Sequence, residues 1–256
     1  MTFRRSAILT YHSLDDSGSV ISMPPDRFRR QMEFLVSSSI SVVPLEEVLE
    51  RPGSVAITFD DGFSNFLDYA APVLESLHLP ATVFLVSGYC GGRNNWPSQP
   101  AGAPDLPLMG WRELASLPPW ISVGAHSVTH PHLTRLTERE CESELSACKN
   151  DIEQHLGRHI RCLAYPYGSL SAEVMAAAGR HFDFAVSTSL RFLSLQSSPL
   201  DLPRIDAYYL RGWFSLEQLF QPMGALYMGF RNVLRHARHG SWSWIPLKRQ
   251  REAKSR

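Results

Sequence analysis

The sequence predicts a parallel α/β sheet or barrel, and three observations support this fold class. Short apolar runs alternate with segments of helical periodicity through about residue 210, which is the pattern of consecutive βα units. No GxGxxG motif follows the first strand, so we favour a barrel over a dinucleotide-binding sheet. Polar side chains come directly after several strands, where parallel α/β folds bind ligands and carry out chemistry.

The predicted strands are short apolar runs rich in β-branched residues, and each ends near a polar or turn-forming residue. In chain order they are Ala7–Tyr11, 42–43, 54–59, 81–86, Ile121–Ala125, 160–164, 184–187 and 202–205. Between them, periodic apolar positions predict helices. These helices are 24–38, 45–50, 64–77, 111–117, 137–156 and 171–180.

Capping residues support the limits of two helices. The proline pair 24–25 occupies the opening position that proline favours. Thr137 and Glu140 form a capping-box pattern at the start of the long helix 137–156, and Gly157 is suited to end it.

The longest predicted loop, 91–107, is rich in Gly, Pro and Asn. Loops of this length in compact domains are usually functional or mobile, so this one could form a wall of a substrate groove. Trp96 lies in the loop and Trp111 follows it. Their flat apolar rings could stack on the rings of a substrate in that groove, and simple core packing explains them equally well.

Composition limits the classes of function. The chain has 256 residues, enough for one large domain or two small ones, and its 25 Lys and Arg balance 25 Asp and Glu. This balance argues against a general polyanion binder, so no nucleic-acid partner is expected. We see neither a secretory leader nor an apolar run long enough to span a membrane, and we therefore expect a cytoplasmic protein.

The four cysteines predict no zinc site and no disulfide. They lack CxxC spacing, and Cys141 and Cys148 lie too far apart along one helix to be bridged. Free thiols in a reducing compartment are the expectation.

Two adjacent carboxylates follow the predicted strand 54–59. Asp60 and Asp61 end its apolar run, and like charges side by side cost free energy unless a proton or a cation offsets their repulsion. Taken alone, such a pair more often caps a helix or lies in a solvated turn.

A pair of histidines follows the strand Ile121–Ala125. His126 and His130 are four residues apart, and on one helical turn this spacing lets both imidazoles reach one metal ion. Two histidines and one carboxylate hold a divalent ion while leaving positions open for water and substrate. The nearby His132 is a weaker candidate, since the intervening Pro131 redirects the chain.

Together, the segments 58–62 (TFDDG), 126–130 (HSVTH) and 165–168 (YPYG) resemble the motifs of the polysaccharide deacetylases, the NodB-homology or carbohydrate esterase 4 family. The resemblance covers about residues 6–206. It implies a distorted (β/α)7 barrel and metal-dependent removal of N-acetyl, occasionally O-acetyl, groups from a glycan.

By position in these motifs, the resemblance implies roles for single residues. Asp61, His126 and His130 would hold the metal, usually Zn²⁺, with Ni²⁺ or Co²⁺ as alternatives. Asp60 would be the general base for the attacking water. The backbone N–H of Tyr167 would stabilise the developing oxyanion.

The third motif departs from the commonest family pattern, which has an Arg before two prolines. Here Ala164 stands at the place of the Arg and Tyr165 at that of the first proline. We expect Tyr165 and Pro166 to border the substrate. Arg204 or Asp206 could take over the orienting role of the missing Arg, and a surface ion pair explains these two residues about as well.

The family's usual general acid, a histidine in a C-terminal Leu-x-His motif, is also missing. The chain instead has Tyr11 and His12 at the end of its first strand, which resembles the branch that includes poly-N-acetylglucosamine deacetylases. That branch implies that His12 protonates the leaving amine; a capping or core histidine is the alternative.

The C-terminal segment 214–256 is predicted to be separate from the catalytic domain 1–213. Residues 215–235 have an apolar helical face that Pro222 should kink or break, and a basic tail follows. One hypothesis is peripheral contact with the inner face of a membrane, and the other is a helix packed on the barrel with a solvated tail.

These observations predict a metal-dependent deacetylase of an N-acetylated glycan or glycolipid. A hydrolase of a non-sugar C–N bond, such as a cyclic amide, is the alternative within enzymes. From another class, the alternative is a catalytically inactive glycan-binding module.

Overall fold

A curled sheet of seven parallel strands dominates the computed structural model of the chain. The structure describes residues 5–38, 40–99, 103–194 and 196–241. The strands are β1 (Ala7–Tyr11), β2 (Ser13–Leu14), β3 (Ser22–Met23), β4 (Val55–Phe59), β5 (Ala81–Leu85), β6 (Ile121–Ala125), β7 (Cys162–Ala164), β8 (Phe184–Val186) and β9 (Ile205–Asp206). The order in the main sheet is β8-β7-β6-β5-β4-β1-β9, and β2 pairs with β3 separately.

Helices connect most of the successive strands of this sheet. They are α1 (Pro25–Ser37), α2 (Ala71–Ser76), α3 (Trp111–Ala115), α4 (Glu138–Leu156), α5 (Ala172–Gly179), α6 (Leu216–Leu219) and α7 (Pro222–Ser241). Parallel strands require such crossover connections, so the predicted βα alternation is confirmed.

The sheet is a half-barrel that is open between β8 and β9. The segment between these strands lies in the opening, where Val186 bridges to Leu202 and the N–H of Leu193 donates to the carbonyl of Ser6 at 2.9 Å. The predicted fold class, a distorted barrel of the (β/α)7 kind, is confirmed.

Apolar side chains on the two faces of the strands form two buried clusters. Outward-facing residues such as Leu9 and Ile57 pack with helix residues such as Met32 and Leu145. Inward-facing residues fill the barrel interior; they include Ile8, Ala56, Phe84, Cys162 and Val186. Burial on both faces explains why these strands are almost uniformly apolar in sequence.

The predicted helix 64–77 is divided in the structure. A π-helical turn, Phe66–Ala70, precedes α2. Pro72 lacks an N–H and cannot donate to the carbonyl four residues earlier, and a wider turn accommodates this break. The predicted strand 42–43 is reduced to a single bridge from Val42 to Val55.

The predicted ends of α4 are confirmed. Thr137 Oγ1 accepts from the N–H of Glu140 at 3.3 Å, Glu140 accepts in return from the N–H of Thr137 at 2.8 Å, and Gly157 ends the helix with φ 61°. Pro222 breaks the C-terminal segment as expected, because α6 ends at Leu219 and α7 begins at the proline.

The proposed boundary between 1–213 and 214–256 stays a prediction. Leu216, Leu219 and Met228 are buried in the same cluster as the barrel helices. None of the helices that the structure describes is both long and apolar enough to cross a bilayer. All four cysteines are free, as predicted.

Gly124 gives a test of packing inside the half-barrel. A Cβ at this position would lie 2.5 Å from ring carbons of Phe84 and 2.8 Å from Cys162 Sγ. We expect Gly124→Ala to lower the free energy of unfolding by about 1–3 kcal/mol in urea denaturation, because the interior cannot expand without strain. Gly229→Ala is the control, since no atom lies within 4 Å of its new methyl group. Equal urea midpoints for the two variants would contradict the close packing.

Candidate active site

A cleft of about 1160 Å³ opens at the carboxyl ends of the central strands. The residues that follow β1, β4, β6 and β7 line its floor: His12, Asp60, Asp61, His126, His130 and Tyr165. Because parallel strands end at one edge of the sheet, residues that are distant in sequence converge there.

Asp61, His126 and His130 form a buried cluster in the floor of the cleft. Asp61 Oδ1 lies 3.5 Å from His126 Nε2 and 3.4 Å from His130 Nε2, and the two Nε2 atoms are 3.2 Å apart. Within the described part of the chain, this is the one group of three residues suited to hold a metal ion.

The histidine motif lies on an irregular loop, so the predicted helical turn at 126–130 is wrong. Ser127 and His130 have positive φ angles of 65° and 55°, and these bring the imidazoles together without helical geometry. Ser127 Oγ accepts from the N–H of His130 at 3.0 Å and closes the loop.

The donor atoms of the cluster fit a divalent cation. His126 Nδ1 donates to the carbonyl of Ala164 at 2.7 Å, so its Nε2 faces Asp61 with a lone pair. Asp61 Oδ1 is buried and has no hydrogen-bond partner among the described residues. Burial raises the pKa of Asp61 and lowers that of His130 well below its usual range. A cation would satisfy this set of one oxygen and two nitrogens, which suits Zn²⁺ and similar ions.

Asp60 is held by a buried arginine from a distant part of the chain. Arg204 Nη1 and Nη2 donate to the two carboxylate oxygens at 2.6 and 2.7 Å, and both side chains are almost fully buried. Burial alone would raise the pKa of Asp60, but the charge and hydrogen bonds of Arg204, together with the charges of His126 and His12, outweigh burial and hold that pKa well below its usual range. Asp60 is therefore an ionised carboxylate at neutral pH.

Arg204 is itself fixed by its surroundings. Its Nε donates to the carbonyl of Ser187 at 3.1 Å and Nη1 to Thr58 Oγ1 at 3.3 Å. Of the two orienting candidates, Arg204 makes the contact with Asp60. Asp206 instead accepts from the N–H of Tyr208 at 2.9 Å and caps its own 3₁₀ turn.

His12 lies at the other side of Asp60. Its Nε2 is 3.8 Å from Asp60 Oδ2, and its side chain is 21% exposed toward the cleft. An imidazole between the carboxylate and solvent is suitably placed to exchange a proton with the cleft.

The long loop packs against the histidine cluster. The ring centroids of Trp96 and His130 are 4.4 Å apart. Trp96 Nε1 donates to the Tyr167 hydroxyl at 3.1 Å. With 3% of its surface exposed, Trp96 supports the cleft wall, which favours the core-packing alternative; its stacking on a sugar ring stays a prediction. Ser98 Oγ donates to the carbonyl of His130 at 2.5 Å and anchors the loop further.

The other three predicted substrate contacts, Tyr165, Pro166 and Trp111, stay predictions. Tyr165 is fully buried and donates its hydroxyl to the carbonyl of Leu200 at 2.9 Å. Pro166 is buried at the start of a 3₁₀ turn. Trp111 stacks on His155 of α4 at 4.1 Å and does not line the cleft. Apolar and aromatic residue types alone did not distinguish packing from ligand contact.

Tyr167 borders the cleft in a strained backbone conformation, with φ 58° and ψ 7°. Gly168 follows with φ 67°, and a Cβ there would lie 2.0 Å from Thr188 Oγ1. The His132 ring stacks on Tyr167 at 4.2 Å and is not part of the metal-suited cluster.

Two features of the site were not predicted from the sequence. Glu144 on α4 accepts from the N–H groups of Val128 and Thr129 at 2.8 and 2.9 Å and from the Thr129 hydroxyl at 2.7 Å. Tyr208 and Tyr209 line the cleft. The position of Glu144 on a helix gave no sign that its side chain holds the histidine loop. For Tyr208 and Tyr209, the available sign was an aromatic pair directly after the strand 202–205.

The half-barrel and the polar cluster at its carboxyl edge place the protein among the α/β-barrel proteins, whose sites lie at the carboxyl ends of parallel strands. A family model described as polysaccharide deacetylase matches residues 49–182. The chain belongs to the polysaccharide deacetylase family.

Two curated relatives are similar to the chain in sequence. YxkH of Bacillus subtilis (strain 168), whose name assigns it provisionally to the polysaccharide deacetylases, is 27% identical over 179 residues, 67% of this chain and 60% of its own length. A poly-β-1,6-N-acetyl-D-glucosamine N-deacetylase of Staphylococcus epidermidis is 27% identical over 173 residues, 61% of this chain and 57% of the relative. The chain thus spans less than two thirds of either relative.

Solved structures agree in fold. The Streptococcus pyogenes deacetylase PplD matches with a TM-score of 0.71 and 21% identity, over 85% of this chain and 99% of PplD. IcaB from Ammonifex degensii matches with a TM-score of 0.68 and 20% identity, over 80% of this chain and 94% of IcaB.

The Arg204–Asp60 pair yields a stability prediction. We expect Arg204→Met to lower the free energy of unfolding by about 3–5 kcal/mol at neutral pH, because it leaves a buried carboxylate without its counter-charge. Adding Asp60→Asn should recover part of this loss. Urea denaturation measures both effects. Arg161→Met, which breaks an exposed pair with Asp183, is the control and should cost less than about 1 kcal/mol. A loss no larger than that of the control would mean that Asp60 does not depend on Arg204.

Glu144 yields a prediction about metal affinity. Glu144→Ala removes the acceptor that holds the 126–130 loop, and we expect Zn²⁺ affinity to fall about tenfold, as for other groups that orient metal ligands. Competition with a chromophoric chelator measures this change. Glu138→Ala on the same helix, with a side chain 79% exposed, should leave the affinity unchanged. Equal affinities for both variants would show that the loop holds its shape without Glu144.

Proposed function

We propose that this protein is a metal-dependent deacetylase that hydrolyses N-acetyl groups on the sugars of a polysaccharide, an oligosaccharide or a lipid-linked glycan. The observation that carries the proposal is the pair of adjacent carboxylates in the cleft floor, where Arg204 keeps Asp60 ionised and Asp61 faces two histidines. Binding a glycan requires no such base beside a metal-suited cluster, which favours an enzyme over an inactive binding module.

Asp61, His126 and His130 would hold the ion. A divalent ion in that position would supply the positive charge that polarises an acetyl carbonyl and acidifies a water molecule. The open cleft above the three side chains leaves room for both water and substrate.

Asp60 would act as the general base. Its carboxylate adjoins Asp61 in sequence and is fixed by two charge-assisted hydrogen bonds, so it can take the proton of the water that attacks the carbonyl carbon. The N–H of Tyr167, at the border of the cleft, would donate to the carbonyl oxygen as that oxygen gains negative charge.

His12 would act as the general acid. Cleavage of the C–N bond requires a proton on the nitrogen, because an amide anion is too basic to leave. His12 lies within 3.8 Å of Asp60 and is partly exposed, so it can protonate the amine and take up a new proton from solvent. The products are acetate and a free amino sugar.

The substrate class follows from the cleft and from the relatives. The cleft is open and lined by the rings of Tyr208, Tyr209 and His132, which suit the apolar faces of sugar rings. The Staphylococcus epidermidis relative is named for its action on poly-β-1,6-N-acetyl-D-glucosamine. A glycan containing N-acetylglucosamine is therefore the first substrate to test.

The test is acetate release from an N-acetylglucosamine oligomer by Zn²⁺-reconstituted protein. Asp60→Asn and His12→Ala should each lower kcat about 10²–10⁴-fold, because each removes one proton-transfer group. Both should retain metal, measured by elemental analysis. Asp68→Asn and His159→Ala change exposed side chains of the same types outside the cleft and should leave kcat unchanged.

Other results would contradict the proposal. Metal binding without acetate release from N-acetylated sugars, together with hydrolysis of a cyclic amide, would assign the site to a non-sugar C–N bond. Wild-type activity in Asp60→Asn would remove Asp60 from the mechanism, and failure to bind metal would remove the mechanism as a whole.

A further inference from the structure

Helix α7 carries an apolar stripe that the rest of the described chain leaves exposed. Met223, Leu226, Phe230 and Val233 are 73%, 74%, 62% and 67% exposed. Their spacing of three, four and three residues places them on one side of the helix. Trp213, which is 79% exposed, extends the apolar surface beyond the helix, and its ring lies 5.5 Å from that of Tyr227. We call these five residues the α7 apolar face.

A different side of α7 already makes the contacts that hold the helix on the protein. Met228 is 1% exposed and belongs to the main core cluster. Gly224 approaches the carbonyl of Leu219 so closely that a Cβ would lie 1.8 Å from its oxygen. The helix is therefore anchored without the α7 apolar face, and large exposed apolar surfaces of this kind commonly mark interaction sites.

The charge of the following sequence indicates the partner. From Arg231 to Arg256 the chain has eight Lys and Arg but a single acid, Glu252. Two tryptophans, Trp242 and Trp244, stand in the same stretch. An apolar helix face combined with Lys, Arg and Trp is the composition of segments that lie in the interface of an anionic bilayer.

We propose that the α7 apolar face docks on the surface of a lipid bilayer that contains anionic phospholipids. The helix would lie in the plane of the headgroups, with its apolar stripe below them and the basic residues against the lipid phosphates. A second copy of the chain fits this surface less well, because an isologous dimer would bring two strongly basic segments together.

The geometry also relates the bilayer to the catalytic cleft. The Arg231 guanidinium on α7 lies 4.7 Å from the ring centroid of Tyr209, and Tyr209 lines the cleft. Docking through α7 therefore places one wall of the cleft near the membrane surface. The proposal does not depend on the proposed reaction, since lipid binding is measured without substrate.

The experiment is co-sedimentation of the full chain with vesicles of phosphatidylcholine containing phosphatidylglycerol, and with vesicles of phosphatidylcholine alone. We expect the wild type to bind the anionic vesicles and to be released by salt. Leu226→Glu/Phe230→Glu should weaken binding tenfold or more. Leu226→Gln/Phe230→Gln should also weaken it, which separates loss of apolar contact from added charge. The control is Val36→Glu/Tyr69→Glu, which adds the same charge at exposed apolar positions elsewhere and should bind like the wild type.

Two results would overturn the proposal. One is equal vesicle binding by the wild type and both α7 variants. The other is a wild type that does not bind vesicles but forms a dimer, by light scattering, that the α7 variants abolish; the face would then belong to a second copy. Circular dichroism verifies that the variants are folded. Acetate release from a soluble oligomer should be the same in all four proteins, so loss of lipid binding is distinguishable from failure of the proposed reaction.

Discussion

The burial of two adjacent carboxylates is the constraint on which the rest of the site depends. Asp60 and Asp61 are 3% and 6% exposed, and their negative charges cannot both persist there without compensation. The charges of the two carboxylates are compensated in different ways. Arg204 neutralises Asp60 through two hydrogen bonds, whereas Asp61 faces a pair of imidazoles with unshared electron pairs. One carboxylate is thereby fixed as an anion, and the charge of the other is left for a proton or a cation to offset.

Strained backbone geometry is concentrated at the same place. Non-glycine residues with positive φ cost on the order of 1 kcal/mol each and persist where neighbours enforce them. Five described residues have this conformation, and only His78 lies away from the cleft floor. The others are Asp61, Ser127, His130 and Tyr167. Trp96 and Ser98 contact His130, and Glu144 accepts from the N–H groups of the intervening Val128 and Thr129, so side chains outside the cluster sustain a geometry that the local sequence disfavours.

The sequence predicted well the features that depend on neighbouring residues. The strand before Asp60, the capping box at Thr137 and the break at Pro222 all follow from local patterns. The sequence did not decide between Arg204 and Asp206, because the contact with Asp60 spans 144 positions and depends on how the sheet curls. Similarly, the burial of Trp96 depends on where a long loop comes to rest, and residue type carries no information about that.

The pairing of the first and last strands has a consequence for folding. Leu9 of β1 pairs with Ile205 of β9, and Arg204, just before β9, supplies the charge that Asp60 needs. During synthesis, the outer edge of β1 stays unpaired until nearly the whole barrel has emerged from the ribosome. Contacts between such distant segments form slowly, and an open strand edge favours intermolecular pairing meanwhile. The nascent chain thus exposes this edge until the site is nearly complete, and one late event both covers the edge of β1 and brings the counter-charge to Asp60.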